Sequence, residues 1–215
     1  MALMHPADCP PTATPTERAV FAALASFADD TWSAWFQANL PGRHPVAPAG
    51  HAAARRPTPM RADFVLLGTR GLYIIEVKGW RAASVLDADE NKVTFRNGAR
   101  AQHPLMQAYR YAAALSGLLR EQPGCLSTAP IPVRYAAAMP NIRAADLPNA
   151  PWCLFLSGVR ILLAEEIGPK LPGRLLAIGP AGGAISRAQR EAVARLLTRS
   201  GGRTPSAQWP PLFEV

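Results

Sequence analysis

Residues 62–78 read ADFVLLGTRGLYIIEVK, an apolar stretch with Asp63 at its start and Glu76 and Lys78 at its end. Two β-rich runs, DFVLL and LYIIEVK, flank a glycine-bounded turn at Gly68 to Gly71, which is the pattern of a hairpin. Charged side chains are rarely buried unless paired or bound to a cation, so the two ends need a reason. Strand side chains alternate faces, so Glu76 and Lys78 share one face, with Cα atoms about 6.5–7 Å apart. Tyr73, Ile75 and Val77 take the other face, suited to packing on a helix. A turn centred near residue 69 or 70 brings Asp63 opposite residues 75 to 77. Two carboxylates and an amine are thereby expected at one end of the hairpin.

Two carboxylates in contact repel unless a proton or cation lies between them. Oxygen ligands that leave positions open suit Mg²⁺ or Mn²⁺, which retain waters and exchange them for phosphate oxygens. An ion held by Asp63 and Glu76, with Lys78 beside it, would serve phosphodiester hydrolysis: it activates water and stabilises charge on the phosphate. The plain alternatives are Asp63 paired with Arg61 or a loop arginine, and a structural Glu76–Lys78 ion pair.

Working outward, TPTERAVFAALASF reads as a helix with Thr14 as N-cap, Pro15 at the first helical position and Glu17 three residues after the cap. That spacing makes Glu17 half of a capping box. TWSAWFQANL, residues 31–40, reads as a strand, and the Pro-, Gly- and Arg-rich stretch that follows reads as a long loop. After the hairpin, AASVLDA and KVTFR suggest two short strands. HPLMQAYRYAAALSGLLR is a helix with Leu105, Tyr109, Ala112 and Leu119 expected along its inner side and His103 as a solvated entry residue. PVRYAAAMP reads as a strand and VRILLAEEI as a strand running into a turn or helix. A last helix over 186–199 opens with Ser186 and Gln189 in a second capping box and stops at Gly201 and Gly202. This order defines an α/β fold with a mixed central sheet flanked by helices.

The net charge of +8 is unevenly distributed. Residues 31–62 contain no acid but carry Arg43, Arg55, Arg56 and Arg61, and residues 91–120 lack acids while carrying Lys92, Arg96, Arg100, Arg110 and Arg120. Segregated positive charge suits a polyanion, although a basic surface can also be merely solvated. Cys9, Cys125 and Cys153 have no metal or redox spacing, and no stretch reads as a secretion signal or approaches the roughly 20 apolar residues of a membrane helix. A reduced, cytoplasmic setting without membrane partners is the expectation.

Asp63, twelve intervening residues, then Glu76-Val77-Lys78 resembles the signature of the PD-(D/E)XK nuclease superfamily, with Ala62 in place of the usual proline. More narrowly, RADFVLLGTRGLYIIEVKGW is similar to the core of the nuclease-related domain, with resemblance extending upstream to ERAVFAAL and downstream to HPLMQAYRYAAALSGLL. The resemblance implies a restriction-endonuclease-like core, divalent-metal-dependent DNA cleavage, Asp63, Glu76 and Val77 as the metal-ligand set, and Lys78 as catalytic lysine. Glu17 and Gln107 match accessory catalytic positions. Arg43, Arg55, Arg56, Arg61, Arg96 and Arg100 become the candidates for nucleic-acid contact. The expected organisation is an N-terminal extension over 1–14, the nuclease-like domain over 15–180, and a C-terminal helix and tail over 181–215.

Members of the family are often fused to helicases, and AISRAQREAVARLL resembles the helix that introduces such a core. No Gly-rich loop ending in Gly-Lys-Ser/Thr is present, so ATP hydrolysis is not expected from this chain. DNA is the implied partner, together with a helicase or another DNA-processing protein, in processing, repair or defence. Two other readings remain at this point: a nucleic-acid-binding accessory module that no longer cuts, and a structural protein whose carboxylates pair with arginines.

Overall fold

The computed structural model describes residues 1–27, 31–40, 60–122, 130–179 and 184–201. In chain order the elements are β1 (Leu3–His5), α1 (Pro15–Ala25), β2 (Ser33–Leu40), β3 (Met60–Gly68), β4 (Gly71–Val77), β5 (Val85–Ala88), β6 (Lys92–Phe95), β7 (Arg100–Gln102), α2 (Pro104–Glu121), β8 (Val133–Met139), β9 (Ile161–Leu163), α3 (Leu171–Ala177) and α4 (Arg187–Gly201). Six strands form one mixed sheet in the order β1-β2-β3-β4-β8-β9. β2, β3 and β4 are antiparallel neighbours, whereas β1 runs parallel to β2, and β8 parallel to both β4 and β9. A parallel β4–β8 pair needs a crossover, and α2 supplies it. β5, β6 and β7 form a separate antiparallel sheet inserted before that helix.

Both faces of the large sheet are covered. Phe64, Leu66, Tyr73, Ile75 and Val77 pack with Val20, Phe21 and Leu24 of α1 and with Leu171 and Leu175 of α3. On the other face Val65, Leu67, Leu72 and Ile74 meet Ala108, Ala112, Leu115 and Leu119 of α2 and Val193 and Leu197 of α4. Every residue of β4 is consequently buried, Glu76 included. This double cover explains why LYIIEV shows little polar alternation.

Both capping boxes form. Thr14 and Glu17 exchange bonds at the start of α1, and Ser186 and Gln189 do the same before α4. Several details differ from the sequence expectations. The inner stripe of α2 is Pro104, Ala108, Ala112, Leu115 and Leu119, while Tyr109 is 49% exposed. The alanines let the helix lie close to β4 and β8, which a bulky stripe would hold off. His103 is buried rather than solvated. Its Nδ1 accepts the Leu105 amide as the N-cap of α2, and its Nε2 lies 2.8 Å from the Phe155 carbonyl. In AASVLDA, Ala82–Ser84 form a 3-10 turn and only Val85–Ala88 a strand. β7 and α3 are additions to the elements expected from the sequence. β1 lies inside the stretch set apart as an extension, yet it joins the sheet edge. α4 continues through Gly201 and packs on the core through Val193 and Leu197. Cys125 lies outside the described residues. Among the described residues no helix is long and apolar enough to cross a membrane.

The β3–β4 turn is as tight as its glycines suggest, with Gly68 paired directly to Gly71. Gly71 has φ +128°, and a Cβ there would collide with the Pro132 carbonyl oxygen. A side chain at this position therefore meets strain and a clash with backbone that cannot easily yield. Gly71→Ala should lower the urea midpoint by an amount equivalent to roughly 1–3 kcal/mol, the range for a disrupted backbone conformation. An unchanged midpoint would mean that the turn does not require glycine.

Candidate active site

The register of the hairpin decides the geometry at its open end. β3 and β4 pair from Gly68 with Gly71 through Phe64 with Ile75, so the next step sets Asp63 against Glu76. There the main-chain ladder gives way to a side chain: Asp63 Oδ2 accepts the Val77 amide at 2.7 Å. Glu76 is 2% exposed, and its Oε1 lies 2.7 Å from Lys78 Nζ. The Lys78 amide donates to the Ala138 carbonyl at 2.9 Å, which extends the β4–β8 ladder and fixes the direction in which the lysine leaves the sheet. The other Glu76 oxygen, Oε2, is buried and takes no bond from a donor among the described residues.

Electrostatics follow from this packing. Burial pushes the Glu76 carboxyl up to about 8; the neighbouring Asp63 adds to the rise through its charge and through a hydrogen bond that the protonated form makes with it, against the pull of Lys78. Burial also raises Asp63 to about 6; the Val77 amide and Lys78 oppose this, Glu17 adds to it, and Arg61 counters it. At neutral pH the pair therefore retains a proton. A divalent cation can replace that proton and satisfy the orphaned oxygen, so these carboxylates fit such an ion. No group of three or more His, Cys, Asp or Glu side chains suited to a metal occurs among the described residues. Two carboxylates plus carbonyl and water oxygens is a donor set suited to Mg²⁺ or Mn²⁺.

The remaining sequence candidates occupy different places. Val77 turns its side chain into the α1-side core, so only its main-chain carbonyl could act as a ligand. Glu17 sits at the head of α1, where Oε2 accepts both the amide and the hydroxyl of Thr14 at 2.7 Å. Its Oε1 lies 3.4 Å from Gln37 Nε2. Oε2 of Glu17 is thus committed to Thr14 while Oε1 has only a long contact, and Asp63 feels Glu17 through its charge. Gln107 donates to the Tyr111 hydroxyl at 3.0 Å, and the Tyr111 phenol is pushed up by burial and then by the Glu76 charge. Gln107 is thus linked to the site through Tyr111.

Arg61 is exposed and near enough for Asp63 to feel its charge. Arg96 is exposed with Nε bonded to the Ala83 carbonyl at 2.9 Å, and Arg100 is exposed on β7. Arg43, Arg55 and Arg56 lie outside the described residues. Sequence reasoning does not select Tyr111 or Gln37. Tyr111 stands one helical turn after Gln107, an i,i+4 spacing that could have revealed it. Gln37 carries no comparable signal.

A mixed sheet between helix layers, with two acids and a lysine gathered where β4 ends, is consistent with a nuclease-like core. The chain belongs to the nuclease-related domain (NERD) family, whose model matches residues 13–139. The match runs from the residue before the cap of α1 to the last residue of β8, and includes Glu17, Asp63, Glu76, Lys78 and Gln107. Comparisons with curated proteins and with solved structures find no match to this chain.

The raised carboxyls make stability depend on pH in a definite direction. The folded chain keeps protons at Glu76 and Asp63 that an unfolded chain releases near the ordinary carboxylate value of about 4. In EDTA, the contribution of this pair to stability should therefore be fully present below that value and be lost as pH rises through about 6 and about 8. Glu76→Gln removes one of these groups and the repulsion felt by the other. Its urea midpoint should gain on the parent between pH 5 and 9, each unit of removed shift being worth about 1.4 kcal/mol. Parallel midpoint curves for the two proteins would contradict the burial argument.

Proposed function

We propose that this chain is a divalent-metal-dependent nuclease that hydrolyses DNA phosphodiester bonds. The observation that carries this reading is the buried Oε2 of Glu76 beside Asp63, which takes no bond from a donor among the described residues, with Lys78 Nζ 2.7 Å from the other oxygen of the same carboxylate. Asp63 and Glu76 would hold Mg²⁺ or Mn²⁺, with the Val77 carbonyl as the further ligand. When bound, such an ion supplies Lewis-acid stabilisation of a phosphoryl oxygen and makes a coordinated water more acidic.

The chain's own residues do the positioning. Double-sided burial of β4 keeps Glu76 from reorienting, and the Val77 amide fixes the Asp63 oxygen that accepts it. The side chain of Lys78 is 22% exposed, so its ammonium can reach a phosphate entering from solvent and offset charge gathering on it. On this reading that phosphate's neighbours would lie in an open groove of about 600 Å³ lined in part by Arg81, Asn141, Arg143 and Asp146. The Asn141 amide donates to the Gly79 carbonyl at 2.9 Å, which ties the groove to the residue after Lys78. Asp146, the acid in this lining, spends Oδ2 on the Arg143 amide at 2.9 Å. A cytoplasmic setting and cooperation with a helicase or other DNA-processing protein, in repair or defence, fit this chemistry.

The test is incubation of the purified chain with linear, circular and single-stranded DNA in Mg²⁺, Mn²⁺ or EDTA. Asp63→Ala, Glu76→Gln and Lys78→Ala should each lower the cleavage rate by about 10²-fold or more, the scale for losing transition-state charge stabilisation. Cleavage that persists in EDTA or in these variants removes the mechanism. Salt-sensitive DNA binding without cleavage would identify a binding-only accessory module instead.

Binding in Ca²⁺ separates the groove from the chemistry. Arg81→Ala with Arg143→Ala should flatten the slope of log K against log salt by about 0.9 for each phosphate that the protein no longer neutralises. Arg187→Ala, an exposed arginine already paired with Glu191, should leave the slope unchanged. Equal slopes for all three proteins would take the groove out of the binding surface.

A further inference from the structure

Gln37 stands across from Asp63 in the sheet, and the two residues interrupt it together. The β2–β3 ladder runs to Phe36 with Phe64 and resumes at Ala38 with Ala62, leaving the step between them unpaired. Gln37 has φ +51°, and among the described residues it is the one non-glycine residue with positive φ. Such outliers persist only where surrounding structure enforces them, and they are reasons to ask about function.

The side-chain pattern records what the outlier does. On β2, Ala34 and Phe36 belong to the core under α1 and Trp35 to the core under α2 and α4. Regular alternation would return Ala38 and Leu40 to the α1 side, yet both lie on the α2 side. On β3, Phe64 and Leu66 lie under α1 and Val65 and Leu67 under α2, yet Ala62 also lies on the α2 side. Alternation therefore slips by one residue on both strands at the same step. An ordinary bulge adds a residue to one strand and shifts the pairing. Here the pairing keeps its register across the slip, because the two strands slip in concert.

The slip explains how one carboxylate meets groups from both layers. Asp63 is released from strict alternation, and its carboxylate accepts the main-chain amide of Val77 in place of a ladder bond. From there it feels Glu17, on the α1 side, and Glu76, whose neighbour Ile74 packs under α2. The Gln37 amide also reaches Glu17, at 3.4 Å, a long distance for a hydrogen bond. The backbone conformation is the stronger of the two links.

We propose that Gln37 is a positioning residue whose left-handed backbone lets β2 slip in step with β3 and so aligns Asp63 with Glu76 as a cation-binding pair. This rests on the metal-site reading above. Glycine adopts the left-handed region freely, whereas a β-branched residue resists it. Gln37→Gly should keep the alignment and Gln37→Val should spoil it.

Mn²⁺ itself is the probe, titrated into the purified full chain by calorimetry at pH 8, with thermal unfolding run on each protein. Gln37→Gly should bind within about threefold of the parent, and Gln37→Val at least about tenfold more weakly, the scale for losing a group that orients ligands. Parent-like affinity in Gln37→Val overturns the proposal. So does a tenfold loss in Gln37→Gly, which decides the matter alone if the valine variant does not fold. If the parent binds Mn²⁺ and Asp63→Ala abolishes binding while Gln37→Val does not weaken it, the role of Gln37 falls and the metal site stands. A parent without Mn²⁺ affinity removes the metal site, and this proposal with it.

Discussion

The burial of Glu76 between two layers of helices is the constraint around which the rest of the molecule is arranged. A carboxylate at 2% exposure loses most of its hydration, and Asp63 beside it raises the cost of ionising both. Lys78 offsets part of this at one oxygen, and the other takes no bond from a donor among the described residues. Such a pair reduces its free energy by taking up a proton or a cation. A protein that only needed a stable core would gain from an apolar residue at this position, as commonly holds for buried ion pairs. The metal site proposed above gives a carboxylate here a use, since a cation would take the place of the shared proton.

That charge can stay in place only because its surroundings do not relax. β4 is covered by α1 and α3 on one side and by α2 and α4 on the other, and its neighbours in the sheet are β3 and β8. The crossover from β4 to β8 brings α2 over the site, and with it Gln107 and Tyr111. The same crossover sets the Lys78 amide against the Ala138 carbonyl, so the lysine leaves the sheet at a defined height. Rigidity and chemistry meet in one element: the residues that make the hairpin unable to move are the ones that keep two carboxylates from separating.

Much of this is legible in ADFVLLGTRGLYIIEVK, because glycine-bounded turns and alternation fix register, and register fixes which charges meet. Both capping boxes are readable for a similar reason, since Thr14 with Glu17 and Ser186 with Gln189 act over one turn of chain. The inner face of α2 departs from its sequence pattern where packing, not hydrophobicity, chooses the residues: Ala108 is small enough to approach the sheet, while the larger Tyr109 is turned outward. His103 looks solvated in the sequence because its partner, the Phe155 carbonyl, is distant along the chain. β1 and β7, at three residues each, are too short to show a period, and they exist through their neighbours. The slip at Gln37 lies outside any single-strand pattern, since it is defined by two strands changing face together.

Glu17 shows why a local explanation and a functional one need not compete. Its carboxylate satisfies the amide and hydroxyl of Thr14, which is sufficient reason for its presence at the head of α1. Its position also carries a negative charge toward Asp63 and raises that carboxyl further. The capping bonds hold this charge in place, because a carboxylate whose Oε2 takes two bonds from Thr14 is not free to swing away to solvent. Capping thus fixes the geometry through which Glu17 acts on the site at a distance. With Oε2 committed to Thr14, Glu17 bears on Asp63 through its field, a relation that sequence spacing alone does not show.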